Sequence, residues 1–382
     1  MDRPFKSVVL VGTAHPFRGG LASYNERLIQ EYIHQGYEAK IVTFTLQYPS
    51  FLFPGKTQFS DSPPPADIPI ERRVNSVNPL NWIRIGLDLR KSAPDVLLFK
   101  FWLPFMGPCF GTIARLVRGN HKTRIITVID NIIPHEHRPG DRLLTRYFVK
   151  PIQGFVAMSR QVREDLKQFN STRPVALSPH PLFDNFGDAI PQADAKKKLG
   201  LDPDYRYVLF FGFIRDYKGL DWLLQAFADP AFEAQKVRLL IAGEFYNNGV
   251  QYSALIDELG LADRIVAHHE FIANEEVATY FCAADAVAQP YKNATQSGVT
   301  QIAYHFEKPM LVTDVGGLAE LVPNGTAGIV AQPNVDSIRE GLHRLMGDDV
   351  HRFDAGILEE KKKLGWYRMV DSIETIYHKI EL

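Results

Sequence analysis

Tyr207-Val-Leu-Phe-Phe211-Gly212-Phe-Ile-Arg215-Asp-Tyr-Lys218-Gly219-Leu-Asp-Trp-Leu-Leu-Gln-Ala-Phe227 runs from a continuous apolar stretch, through a glycine-bounded loop with two cations, into apolar residues at helical spacing. A short unbroken apolar run predicts a strand covered on both faces, as in a parallel sheet. Strand, loop and helix in that order form the repeating unit of a doubly wound α/β domain. An earlier part of the chain echoes the unit: Val8-Val-Leu-Val11 reaches Gly12, a loop runs to Gly19, and a helix is expected over 21–35. Gly36 is placed to end that helix in the left-handed conformation. Two separately wound halves follow.

The rhythm predicts strands at 39–44, 96–99, 124–128 and 154–158 in the first half. In the second it predicts 207–211, 238–242, 265–267, 286–289, 310–313 and 328–330, with helices between, 111–118 and 299–306 among them. Residues 45–79, with Pro63-Pro-Pro65, show no period and read as a long surface excursion. A second lapse, from Ser178 to Pro191, sets the domain boundary between 185 and 186. The segment 364–382 carries a helical stripe of Trp366, Met369, Val370, Ile373 and Ile376, which must pack against something already built.

Composition agrees with two globular domains: 382 residues, 45% hydrophobic and 23% charged, exclude a disordered or fibrous chain. Cys109 and Cys282 are too few for a disulfide framework or a thiolate zinc site, which fits a reducing cytosol. The apolar run after Lys6 is too short for a signal peptide or a membrane span. Residues 1–185 hold 24 Lys and Arg against 15 Asp and Glu, whereas the remainder is net acidic, so the first half is suited to face something anionic.

Four segments carry candidate chemistry. In the loop 212–219, Arg215 offers a bidentate fork and Lys218 a point charge beside the N–H groups that open a helix, a setting for a diphosphate. In Gln289-Pro-Tyr-Lys-Asn-Ala-Thr-Gln296-Ser297-Gly298-Val299, small and hydroxylic residues open another helix, so the N–H groups of Ser297, Gly298 and Val299 can meet phosphate or sugar hydroxyls while Ser297 caps. Arg18-Gly19-Gly20 also precedes a helix, but it is not the G-x-G-x-x-G of dinucleotide binders, which argues against a nicotinamide enzyme. Asp130, Asn131, His135 and Glu136 follow a strand, where ligands of open α/β sheets collect, and His135 is a candidate proton acceptor or positioning group. A fifth stretch, Phe99-Lys-Phe-Trp-Leu-Pro-Phe-Met-Gly-Pro-Cys-Phe110 with Arg115, Arg118, His121, Lys122 and Arg124, reads either as core of the first domain or as an interfacial membrane patch.

Taken together, Gly19-Gly20, the 212–219 loop with Arg215 and Lys218, Gln296-Ser297-Gly298-Val299, Lys308-Pro309, Thr313-Asp-Val-Gly-Gly-Leu-Ala-Glu320 and Gly325-Thr-Ala-Gly328 resemble a retaining glycosyltransferase of family 4, among the glycosyl transferases group 1, with the GT-B fold. The resemblance covers nearly the whole chain and is most specific in the second half. It implies an α/β fold of two Rossmann-like domains with parallel sheets facing across a cleft. An acceptor-binding domain would span 1–185, a donor-binding domain 186–363, and a terminal helix, 364–382, would cross back to the first.

It further implies a metal-independent hexosyltransferase that moves a sugar, with retention, from a nucleotide-diphosphate sugar to a carbohydrate or lipid-linked acceptor. Bacterial surface polysaccharide or glycolipid synthesis is the expected setting, in the cytoplasm or at the inner membrane face. No nucleic acid and no cofactor beyond the co-substrate are expected. Arg215, Lys218 and His135 would be catalytic. Gly19, Gly20, Gly212, Phe271, Ile272, Gln296, Ser297, Gly298, Val299 and Gln301 would line the donor, and Arg18, Asp130, Asn131 and Glu136 the acceptor or sugar side. The chain departs from the family at two glutamates separated by seven residues, whose positions fall near Ala294 and Ile302. Gln296 and Gln301 are the neutral substitutes at hand. That departure keeps a non-catalytic nucleotide-sugar binder in view, while the scarcity of carboxylates there counts against an epimerase.

Overall fold

The computed structural model describes residues 4–49, 57–60, 63–134, 138–170, 172–245, 249–294, 297–347 and 349–381. It divides into two units, Met1–Pro181 with Trp366–Leu382, and Leu182–Gly365. The chain therefore changes unit slightly before the expected 185/186 boundary, and again just after residue 364. A main-chain bond accounts for both positions, since Leu182 N–H donates to the Leu364 carbonyl at 2.9 Å and ties residue 182 to the second unit.

The first unit contains β1 (Ser7–Val11), α1 (Gly20–His34), β2 (Glu38–Leu46), β3 (Ile70–Asn75), α2 (Pro79–Ser92), β4 (Val96–Phe101), α3 (Gly107–Arg118), β5 (Arg124–Ile129), α4 (Asp141–Val149), β6 (Gly154–Ala157), α5 (Arg160–Leu166) and β7 (Val175–Leu177). Its seven strands lie parallel in the order β3-β2-β1-β4-β5-β6-β7. β3 lies inside the expected surface excursion. Its Ile70-Glu-Arg-Arg-Val-Asn75 is polar because it forms an edge, paired only with β2 and buried chiefly at Val74. α2, α3 and α4 pack against one another in sequence, while α1 packs on β1, β2 and the last helix of the chain.

The second unit contains α6 (Gln192–Lys198), β8 (Arg206–Phe211), α7 (Leu220–Phe227), α8 (Ala231–Ala234), β9 (Val237–Ala242), α9 (Val250–Glu258), β10 (Ile265–His268), α10 (Asn274–Ala283), β11 (Ala286–Gln289), α11 (Gly298–His305), β12 (Met310–Thr313), α12 (Leu318–Leu321), β13 (Gly328–Ala331), α13 (Val335–Leu345) and α14 (Asp354–Lys362). Its six parallel strands run β10-β9-β8-β11-β12-β13. In each sheet one strand, β1 or β8, has its successor on one side and a later strand on the other. Such a reversal opens a crevice at the strand's carboxyl end. Gly12 and Gly212 stand there.

The last helix, α15 (Trp366–Lys379), belongs to the first unit and packs on β5, β6, β7 and α1. Its buried stripe is the one legible in sequence: Trp366, Met369, Val370, Ile373 and Ile376. A Cβ on Gly154 would come within 2.2 Å of Ile376 Cγ2, so β6 needs a glycine there for the helix to seat.

The aromatic stretch at 99–110 is resolved in favour of the core. Phe99, Phe101, Met106, Cys109 and Phe110 are fully buried, with Phe101 and Phe148 stacked 4.3 Å apart. Trp102 and Phe105 are partly buried and pack against the same core.

Candidate active site

In the second unit three strand ends converge on the reversal point. Gly212 leaves β8 with φ 94° and Gly219 has φ 69°, both in the left-handed region that favours glycine. A Cβ on Gly219 would lie 2.0 Å from the Pro290 carbonyl oxygen, and one on Gly243 would lie 2.2 Å from that of Gly212. The loops after β8, β9 and β11 approach this closely only because these side chains are absent.

Lys218 is folded back into that space. It is buried, its Nζ lies 3.5 Å from the Phe211 carbonyl and 5.7 Å from the Tyr291 ring centre, and a Cβ on Gly212 would stand 3.0 Å from it. The same point is 4.0 Å from Val299 Cγ2, so the ammonium, the Gly212 backbone and the start of α11 meet. Burial, reinforced by the charge of Arg215, pulls the Lys218 pKa from 10.5 down to about 7. Arg215 is half-buried on the same loop. Two cations close together with one of them desolvated form a site that gains from an incoming polyanion.

The start of α11 is built by side chains. Ser297 Oγ accepts from Val299 N–H at 3.2 Å and is 3.1 Å from the Tyr291 hydroxyl, while Thr313 Oγ1 donates to the Tyr291 carbonyl at 2.6 Å. The Val299 N–H, expected to face a ligand, is thus already engaged by the cap. Gly298 permits close packing, since a Cβ there would sit 2.8 Å from the Phe183 ring. Gln301, expected to line the donor, is fully buried, and neither end of its amide has a partner among the described residues. Phe271 lies near the Phe213 ring, at 6.4 Å, whereas Ile272 is buried. Tyr291 lies within the 289–299 motif, but its place is fixed by Ser297 from the same motif and by Thr313 at the end of β12.

In the first unit Gly19 has φ 103° with open space around it, and Gly20 begins α1. Arg18 is anchored sideways: its N–H donates to the Gln58 carbonyl and its Nε to that of Thr57, each at 3.0 Å. Asp130 follows β5 and is paired at 2.7 Å with Lys100, a fully buried lysine that sequence reading placed only in an aromatic run. Lys100 Nζ also lies 3.3 Å from the Tyr24 ring centre and 3.0 Å from Met158 Sδ. His180, whose ring is 4.9 Å from that of Tyr24, is held neutral, its pKa pulled to about 3 by burial and by the Lys100 charge. Asn131, next to Asp130, is half-buried. His135, Glu136 and Gln296 lie outside the described residues. Among the described residues no three His, Cys, Asp or Glu side chains gather as metal ligands.

Residues 205–348, the span that contains every one of these second-unit loops, match the family model described as Glycosyl transferases group 1. The second unit is thus similar to the glycosyl transferases group 1 over that span. Curated relatives include D-inositol 3-phosphate glycosyltransferases from Streptomyces bingchenggensis, 28% identical over 66% of this chain and 54% of the relative, and from Segniliparus rotundus, 32% identical over 36% and 31%. The match with the first of these spans about half of the relative's length. Among solved structures, sucrose-phosphate synthase from Thermosynechococcus elongatus aligns over 98% of both chains with a TM-score of 0.74 and 15% identity. Anabaena HepE in complex with UDP aligns over 98% of this chain and all of its own, with a TM-score of 0.73 and 15% identity. These likenesses show the fold, two Rossmann-like parallel-sheet domains of the GT-B kind. Within the matched span, Gly212, Lys218, Ser297, Gly298 and Val299 form one constellation, and the two expected glutamate positions hold buried Ala294 and Ile302.

Proposed function

We propose that this protein is a retaining glycosyltransferase that moves a hexosyl group from a nucleotide-diphosphate sugar to a carbohydrate or lipid-linked acceptor. The observation that carries the proposal is the desolvated Lys218 ammonium, held against the Gly212 backbone and the start of α11 within the span that matches the group 1 family model. As the glycosidic bond breaks, charge grows on the departing diphosphate. Preplaced cations and N–H groups favour that state over the ground state and so lower the barrier. Lys218 supplies the point charge and Arg215 the fork, without a metal ion. The acceptor's proton passes to the departing phosphate oxygen, and His135 is not needed as the base. The nucleotide diphosphate fits the UDP seen in the HepE complex. The acceptor side is assigned to Arg18, Asp130 and Asn131 of the first unit, whose basic balance suits an anionic or membrane-borne acceptor in bacterial surface glycan synthesis.

The test is slow hydrolysis of UDP- and GDP-sugars by the purified protein, with and without chelator, against Arg215→Ala and Lys218→Ala. Hydrolysis that persists in chelator and disappears in both variants supports the assignment; hydrolysis unaffected by either substitution refutes it. Ala294 and Ile302 at the glutamate positions favour a second reading, a nucleotide-sugar binder without turnover. That reading predicts a raised melting temperature with the nucleotide diphosphate, a smaller rise with the monophosphate, and no hydrolysis.

A further inference from the structure

Helices on a domain surface ordinarily turn polar residues outward, whereas α2 and α4 also turn large apolar residues outward. On α2, Leu80, Ile83 and Leu87 are 77%, 43% and 47% exposed at helical spacing, while Ile85 and Leu89 fill the inner face. On α4, Leu143 and Tyr147 are 70% and 38% exposed, while Phe148 and Val149 are buried. The intervening α3 joins the two. Its Leu116 packs so closely on Gly86 that a Cβ there would be 2.7 Å away. On its other side the Arg115 guanidinium lies 3.7 Å from the Tyr147 ring centre and donates to the Tyr147 carbonyl at 2.7 Å. The stripes therefore belong to one outward face of a three-helix layer. Scattered exposed leucines are ordinary, but five large apolar side chains on neighbouring helices of one face mark an interaction surface.

The charge on this face is predominantly positive. Arg84 and Lys91 flank the α2 stripe, and Arg142, Arg146 and Lys150 flank that of α4, all of them exposed. Among the described residues from 77 to 150 the one exposed acid is Asp88, and it is already paired with Arg73. A second copy meeting the same face would set cations against cations.

We infer that the outer face of α2, α3 and α4 docks on an anionic lipid bilayer, with Leu80, Ile83, Leu87, Leu143 and Tyr147 entering the acyl boundary and the flanking cations meeting headgroups. Apolar insertion and cationic attraction together give the two-signal, reversible anchoring that neither gives alone. No helix among the described residues is long and apolar enough to cross a membrane, so the contact is peripheral. It is independent of the transfer reading, because binding is scored without any sugar donor.

The experiment is co-sedimentation of the full chain with vesicles of phosphatidylcholine alone or mixed with phosphatidylglycerol, at low and raised salt. The expected result is binding to the anionic vesicles, little to the neutral ones, and a fall of roughly tenfold on raising salt. Leu80→Asp combined with Leu143→Asp is expected to reduce partitioning by roughly tenfold or more, and Arg84→Gln with Arg146→Gln by a smaller factor. All four side chains are exposed, so the melting temperature should be retained in both variants. Equal binding to neutral and anionic vesicles, or wild-type binding by both double variants, overturns the inference. So does a wild-type oligomer that dissociates when Leu80 and Leu143 become aspartate, which would assign the face to protein.

Discussion

Lys100 and Asp130 form a 2.7 Å ion pair whose members stand in different media: the lysine side chain is 2% exposed and the aspartate side chain 22%. The pair joins the carboxyl ends of β4 and β5 under the Tyr24 ring. Desolvation lowers the Lys100 pKa, and Asp130 opposes that shift. Removing one partner strands the other, so Asp130→Asn should cost about 3 kcal/mol. Lys100→Met with Asp130→Asn should cost less than the two single changes summed. Denaturant unfolding of the four proteins measures this; simple additivity would mean that the pair is not coupled.

The second prediction concerns pH. Lys218 loses its proton near 7 when folded, against 10.5 as a free lysine. Between those values the unfolded chain holds a proton that the folded one lacks, so stability should rise with pH across this window, by at most about 1.4 kcal/mol per unit. A bound diphosphate reverses the preference by favouring the ammonium. Its affinity should fall as pH rises above about 7, with proton uptake on binding that calorimetry in buffers of different ionisation enthalpy detects. Lys218→Met should abolish both effects while leaving the fold intact.

Gly219→Ala is expected to be among the most damaging single-methyl additions in the second unit. The new Cβ would lie 2.0 Å from a backbone oxygen, at φ 69°, so neither a rotamer change nor a small shift relieves it. A loss of roughly 2–3 kcal/mol in thermal or chemical unfolding is expected. Gly200→Ala, also left-handed at φ 65° but with nothing within 4 Å, should cost about 1 kcal/mol and serves as the control.

Gln301 has a fully buried amide without a partner among the described residues. Replacing both unsatisfied ends by an apolar chain of similar length removes a desolvation penalty. Gln301→Met should therefore leave the melting temperature unchanged or raise it. A selective loss of nucleotide diphosphate binding in that stable variant would assign Gln301 to the ligand after all.

What the sequence made legible was local. The turn from Phe211 through Gly212 to Lys218, the Ser297 cap and the stripe on α15 are each written within a few consecutive residues. The Lys100 cluster draws on Tyr24, Asp130, Met158 and His180, which meet only because four parallel strands end side by side. No spacing rule reports such a meeting. The edge strand β3 was hidden for a different reason, because half of its surface is open to solvent and its residues lack the apolar run of an inner strand. The aromatics at 99–110 show the converse ambiguity. A core strand and a membrane patch demand similar side chains, and only the packing of Phe148 and its neighbours decides between them.

The place of α15 bears on how the molecule is made. Synthesis delivers β1 to β7 first and the helix that covers β6 and α1 last, after the whole second unit has left the ribosome. Until then the slot over Gly154 and the ring of Tyr24 await Ile376 and Trp366 with their apolar faces bare. The half that emerges earliest is thus finished latest, and a nascent chain halted anywhere before residue 366 would present a sticky, half-roofed sheet to chaperones.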